Sequence, residues 1–254
     1  LQDAGPFAFA TLRFTIAGIV TFIVVNKSII TLKRNEFIGG IVTGFFLFIG
    51  YAFQNFGLMI TSASKSAFIT SVSVLMVPII LSLFNIQKVN KRVWIAVGLA
   101  IIGLYILLNP SGGDMNWGDI LTFGCAIGFA FHIILQDYFV KKNVRILPFF
   151  LVQTWLVVFL SFVNSLLFEP VFAFWTNKLI IAILITGIFA TFIAILIMIW
   201  SQKILNPNET AIIFALEPVF ATLFAIIFAG EVLGIWGYIG GGLIVLGVGY
   251  GEKD

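Results

Sequence analysis

The residues of this chain that can do chemistry are few, and most sit inside apolar runs. Glu217 and Pro218 fall near the middle of ETAIIFALEPVFATLFAIIFAGE at 209–231. A carboxyl group there can bind a cation, receive an amine or take up a proton. Pro218 has no N–H to give to the carbonyl of Phe214, so a bend is expected beside the acid. Low dielectric equally allows a neutral Glu217 hydrogen-bonded to a neighbouring helix. Arg13 lies inside FAFATLRFTIAG at 7–18. Burying it costs about 2.5–3.5 kcal/mol on insertion scales before any pairing. It serves either as an anion-contacting or helix-positioning residue facing a cavity, or as a charge that snorkels outward or pairs with another helix to hold the fold.

Amides, one imidazole and one indole complete the set of candidate binding residues. Gln54 and Asn55 are neighbours in YAFQNFGL at 51–58. On a helix they point about 100° apart, so the two need not line one pocket. His132 and Gln136 share a helix face at a four-residue spacing, and His132 has the chemistry of a proton shuttle. Gln153 supplies an amide and Trp200 an aromatic surface. The structural alternative for the amides is hydrogen bonding between helices, and for Trp200 an interfacial anchor. Pro78 and Pro218 are the two expected helix breaks.

Other chemistries find no support. There is no G-x-x-x-x-G-K-[ST] phosphate loop, no H-E-x-x-H and no serine-nucleophile elbow, so neither ATP hydrolysis nor another enzymatic activity is expected. No cofactor is expected. One histidine and the lone Cys125 do not make a structural metal site, and one cysteine cannot form an intrachain disulfide.

The elements that must position these residues follow from composition. Of 254 residues 61% are hydrophobic and 10% charged, and mean hydropathy is +1.13. Soluble domains have about 25% charged residues, so lipid is the solvent for most of this chain. The net charge of +3 is dispersed over short loops, which argues against nucleic acid as a partner. Polar breaks leave nine apolar segments near 5–25, 36–60, 65–86, 92–109, 117–139, 147–168, 178–201, 208–230 and 234–250. Backbone groups in hydrocarbon must be bonded internally, and no ten-residue alternation of barrel strands is visible, so the segments are expected to be helices.

The loops give a direction. Lys27, Lys33, Arg34, Lys88, Lys91, Arg92, Lys141, Lys142, Arg145, Lys203 and Lys253 follow odd-numbered segments, whereas the opposite side holds Lys65 and Lys178 with Asp3, Asp114, Asp119, Glu169 and Glu231. The positive-inside rule then places Leu1 outside and Asp254 in the cytoplasm.

Residues 144 apart resemble one another: SAFI at 66–69 with TAII at 210–213, and GLAIIGLY at 98–105 with GLIVLGVG at 242–249. In a slightly shifted register GPFAF at 5–9 meets LPFFL at 147–151. The second repeat has five spans and the first four. About 25–35 further residues, carrying an opening helix, are therefore expected before Leu1, giving ten spans with both ends cytoplasmic. An odd number of crossings per unit inverts the second unit relative to the first, an arrangement that places solute sites near the midplane.

The glycine pairs Gly40/Gly44, Gly124/Gly128, Gly237/Gly241 and Gly247/Gly251 fit close helix packing within one chain, or a homodimer. At the starts of the third and eighth segments, Ser62 or Ser64 and Asn208 are candidate caps.

Three stretches carry a family resemblance: GPFAFATLRFTIAG at 5–18, FGLMITSASKSAFITSVSVLMVPII at 56–80, and NPNETAIIFALEPVFATLFAIIFAGE at 206–231. On these the chain resembles EamA-type permeases of the drug/metabolite transporter superfamily, over essentially its whole length. The resemblance implies an all-α integral membrane protein with two inverted five-helix repeats, a ten-helix fold whose first helix is missing here. The first EamA repeat would occupy 1–110 and the second 111–254. It further implies a multi-pass protein of the cell inner or plasma membrane that moves amino acids or other small metabolites by alternating access, with a proton or ion as coupling partner and efflux as one direction. Regions around Ser66–Pro78 and Glu217–Pro218 would shape the cavity, Arg13 matches the family's arginine near its second helix, and Glu231 a helix-end acid. Two other classes fit the bare composition: a passive small-solute channel and a membrane assembly factor.

Overall fold

In a computed structural model, residues 3–25, 31–108, 115–169, 172–229, 232 and 234–251 are described. The expectations attached to Leu1, Lys27, Asp114, Glu231, Lys253 and Asp254 lie outside them.

Hydrocarbon leaves the backbone no partner but itself, and the apolar segments fold as helices accordingly. These are α1 Pro6–Val25, α2 Arg34–Leu58, α3 Ala63–Ser71, α4 Ser73–Leu83, α5 Lys91–Leu108, α6 Trp117–Val140 and α7 Ile146–Phe168. Then come α8 Asn177–Ile185, a π-helical stretch Thr186–Ile193, α9 Ala194–Ser201, α10 Pro207–Phe214, α11 Glu217–Ala229 and α12 Ile235–Gly251. Taking α3–α4, α8–α9 and α10–α11 as consecutive pieces leaves nine rods among the described residues, matching the nine apolar segments. Seven of these rods are long and apolar enough to cross a membrane by length and composition. The fold is all-α, without a β-sheet among the described residues; Ala4 and Ala173 make one isolated bridge.

Local chemistry sets several ends. Ser62 caps α3 by accepting from the Lys65 N–H, and Thr176 caps α8 by accepting from that of Leu179. At α10 the cap is Asn206, not Asn208: Asn206 and Glu209 form a reciprocal capping box, with Pro207 at the start of the helix. Asn85 and Asn143 turn the chain after α4 and α6 at φ of 51° and 57°, a left-handed region that asparagine tolerates.

The helices group into two compact units. The first comprises Leu1–Asn55 and Leu135–Ile204, the second Phe56–Ile134 and Leu205–Asp254, so each takes one piece from each half of the sequence.

In the first unit α1 lies along α7 and α8. Ala4, Ala8, Leu179 and Ile183 form a buried cluster there, flanked by Leu12 and Ile16. Gly40 and Gly44 of α2 let α7 approach closely: a β-carbon on Gly44 would stand 2.9 Å from the Gln153 carbonyl oxygen. Three acid-based contacts tie helix ends. Glu169 accepts from the backbone N–H groups of Phe7 and Ala8 at 2.6 and 2.9 Å, and from the Ser165 hydroxyl at 2.6 Å. Asp3 accepts from the Thr176 hydroxyl at 2.8 Å. At the opposite end buried Glu36 holds Arg145 in a bidentate pair, Nε to Oε1 and Nη2 to Oε2, both 2.7 Å. Donating these hydrogen bonds to Glu36 raises the Arg145 pKa above its ordinary value.

In the second unit α5 and α12 pack face to face. Ala96, Val97, Ala100 and Leu104 meet Ile244 and Val248, and the broken helices add Val74, Ile212 and Ala215. A β-carbon on Gly103 would sit 2.6 Å from the Gly240 carbonyl oxygen, so only glycine permits this crossing. Gly247 and Gly251 likewise face Ala96.

Candidate functional site

In the first unit, α1 carries Arg13 in mid-span. Its Nη2 donates to the Tyr51 hydroxyl at 2.8 Å, and its guanidinium carbon lies 5.1 Å from the Phe14 ring centroid and 4.9 Å from that of Tyr51. The charge therefore rests on two aromatic faces and one hydroxyl. Among the described residues Arg13 makes no ion pair, and its Nε is buried without a hydrogen-bond partner. A guanidinium so placed leaves part of its donor capacity unused among the described residues.

The same unit holds Gln54, Asn55, Gln136, Gln153 and Trp200. Gln54 and Asn55 are half-buried on α2, one and a half turns or less from Tyr51. Gln136 is fully buried and donates to the Gln202 side-chain oxygen at 2.8 Å, which links α6 to the residue after α9. Gln153 is also fully buried; its Oε1 accepts from the Thr43 hydroxyl at 3.0 Å, while its Nε2 has no partner among the described residues. Trp200 is 58% exposed and lines an open groove with Arg145 and Lys203.

The second unit holds His132, Glu217 and both prolines. His132 is buried on α6, one turn from Gln136 but across the boundary between units. Glu217 is exposed in the first turn of α11. The chain does more than bend beside it: α10 stops at Phe214 and α11 begins at Glu217. Ala215 and Leu216 close tighter turns, their N–H groups reaching the carbonyls of Ile212 and Ile213 at 3.0 Å each. Pro218 thus occupies an early position of a new helix, where its missing N–H is tolerated. The α3–α4 break falls at Val72, and Leu216 lies 144 residues after it. Pro78, by contrast, is buried inside α4, six residues past that break.

Several structural partners were not singled out by sequence reasoning. Tyr51, Thr43 and Gln202 complete the polar contacts above, and nothing in their local sequence signals it. Lys65, unsuited to the positive end of α3, is neutralised by buried Asp119 at 3.3 Å, and Asp119 also accepts from the Thr61 hydroxyl. The excess of acids on that side was a usable signal for this pair. No three metal-ligating side chains converge among the described residues.

Comparison with known proteins agrees on the family. The model of the EamA-like transporter family matches residues 1–109 and 116–250. One similar protein, an uncharacterized transporter of Archaeoglobus fulgidus, is 35% identical over 254 residues, covering 98% of this chain and 77% of its own length. A second uncharacterized transporter of that organism is 24% identical over 213 residues, or 79% of this chain and 74% of its own. One protein crystal structure shares the fold with a TM-score of 0.83 at 18% identity, over 98% of this chain and 87% of that one. The chain is a multi-pass membrane protein that belongs to the EamA-like transporter family, within the drug/metabolite transporter superfamily.

Proposed function

We propose that this protein is a secondary transporter of small metabolites carrying an anionic group, amino acids among them, working by alternating access. The observation that carries this reading is Arg13, a mid-span cation held by Tyr51 and Phe14 with no carboxylate paired to it among the described residues. A purely structural charge in hydrocarbon is expected to bring its own counter-ion. Arg13 is the anion contact in this reading, with Gln54 and Asn55 as neutral contacts on the neighbouring helix. Gln136 and Gln153 serve the solute route by fixing helices, and His132 and Glu217 are the proton-handling groups of the second unit, which makes a proton the preferred coupling ion. Two inverted repeats at 1–110 and 111–254 underlie it, supported by the helix breaks at Val72 and Leu216, one repeat length apart. Basic loops face the cytoplasm.

Counterflow in proteoliposomes tests this, with amino acids and other carboxylate metabolites at several pH gradients. Saturable counterflow is expected, reduced about 100-fold in R13A, equivalent to about 2.7 kcal/mol, and partly kept in R13K. E217Q is expected to flatten the pH dependence. Unsaturable flux without counterflow would indicate a channel, and full activity in R13A would overturn the assignment of the anion contact.

A further inference from the structure

At the end of the first unit that carries Arg145 and Lys203, a groove of about 540 Å³ opens between the start of α7 and the end of α9. Its walls are apolar, formed by Leu147, Leu196 and Ile197, with Trp200 beside them and the two cations at the rim. The apolar wall is open to the surroundings: Ile197 is 57% and Trp200 58% exposed. Arg145 is already bound to Glu36 through two 2.7 Å contacts, which cancels one charge. Lys203 is exposed and forms no ion pair among the described residues. The groove thus carries one uncompensated positive charge beside an apolar wall, with a tryptophan at the end of α9, and indoles gather at the ends of membrane spans.

We propose that this groove binds one anionic phospholipid of the leaflet facing the basic loops, its phosphodiester on Lys203 and its acyl chains along Leu196 and Ile197. Charge complementarity selects the occupant. A phosphodiester brings the single negative charge that Lys203 lacks, and basic pockets between helices on this side of a membrane are suited to such headgroups. A zwitterionic lipid brings a second cation to a rim that already has an excess of one. A soluble anion would leave the apolar wall bare.

The full chain, purified in detergent and stripped of lipid, is titrated with phosphatidylglycerol or phosphatidylcholine of equal chain length and examined by native mass spectrometry. One phosphatidylglycerol is expected to be retained, at least about fivefold more strongly than phosphatidylcholine, the worth of one lysine near an anionic surface. K203Q should remove that preference, W200L should weaken retention of both lipids, and K178Q, at the other end of the same rod, should change nothing. Equal retention of the two lipids, or an unchanged preference in K203Q, overturns the proposal. So does displacement by glycerol 3-phosphate as effective as by the lipid, which would mark a soluble-anion site. A lipid-free dimer that W200L dissociates would assign the groove to a second copy. None of these readouts depends on transport.

Discussion

Lys65 and Arg13 are both cations on apolar helices, and they are treated in opposite ways. Lys65, at the start of α3, is met by the buried carboxylate of Asp119, which Thr61 and the Asn116 backbone also engage. Arg13, in the middle of α1, is met by Tyr51 and two ring faces and by no carboxylate among the described residues. Glu36 with Arg145 repeats the first pattern at a helix end in the other unit. Among the described residues Lys65 and Arg145, the cations that tie helices together, each meet a buried carboxylate. Arg13 departs from that pattern, and the proposed anion contact rests on the departure.

Making Lys65 resemble Arg13 should have the largest effect. D119N removes the counter-ion while keeping the side-chain shape, and a buried charge left uncompensated costs roughly 3 kcal/mol. The loss should appear as a lower unfolding midpoint in detergent, and K65M/D119N should recover most of it; a D119N protein as stable as its parent would dissolve the comparison. An intermediate effect is expected from Y51F, which removes the one hydroxyl bonded to the Arg13 guanidinium and costs about 1.5 kcal/mol of stability, the lower end for hydrogen bonds to charged groups. The smallest belongs to T43V, which breaks the neutral contact to Gln153. Such bonds between membrane helices average about 0.6 kcal/mol, so T43V should barely move the midpoint. A T43V loss as large as that of D119N would show that neutral contacts rival the ion pairs here.

The same contrast explains what could be read before the fold was known. The nine apolar segments and the Ser62 cap were legible because length, hydropathy and cap chemistry are properties of neighbouring residues. The break next to Glu217 was legible from Pro218, whereas the break expected at Pro78 does not occur, because α4 continues through it. The counterpart of the Glu217 break, at Val72, was not legible, because no local residue announces the interruption. The Asn206 cap was missed by two positions for a related reason: both asparagines are adequate caps, and the Glu209 side chain, by bonding back to the Asn206 N–H at 2.7 Å, makes the selection.

Sequence by itself determined that this chain lives in lipid, where its nine apolar rods begin and end to within a few residues, and which transporter family it belongs to. All of these follow from composition, periodicity and ordered motifs along the chain. Tertiary structure alone decided the partners. It joined Lys65 to Asp119 across 54 residues and Glu36 to Arg145 across 109, buried Gln136 and Gln153 against other helices, and left Arg13 with aromatic faces in place of an acid. The physical reason is that a charge inside a membrane is worth whatever its neighbours make it, and those neighbours come from helices far away in the chain.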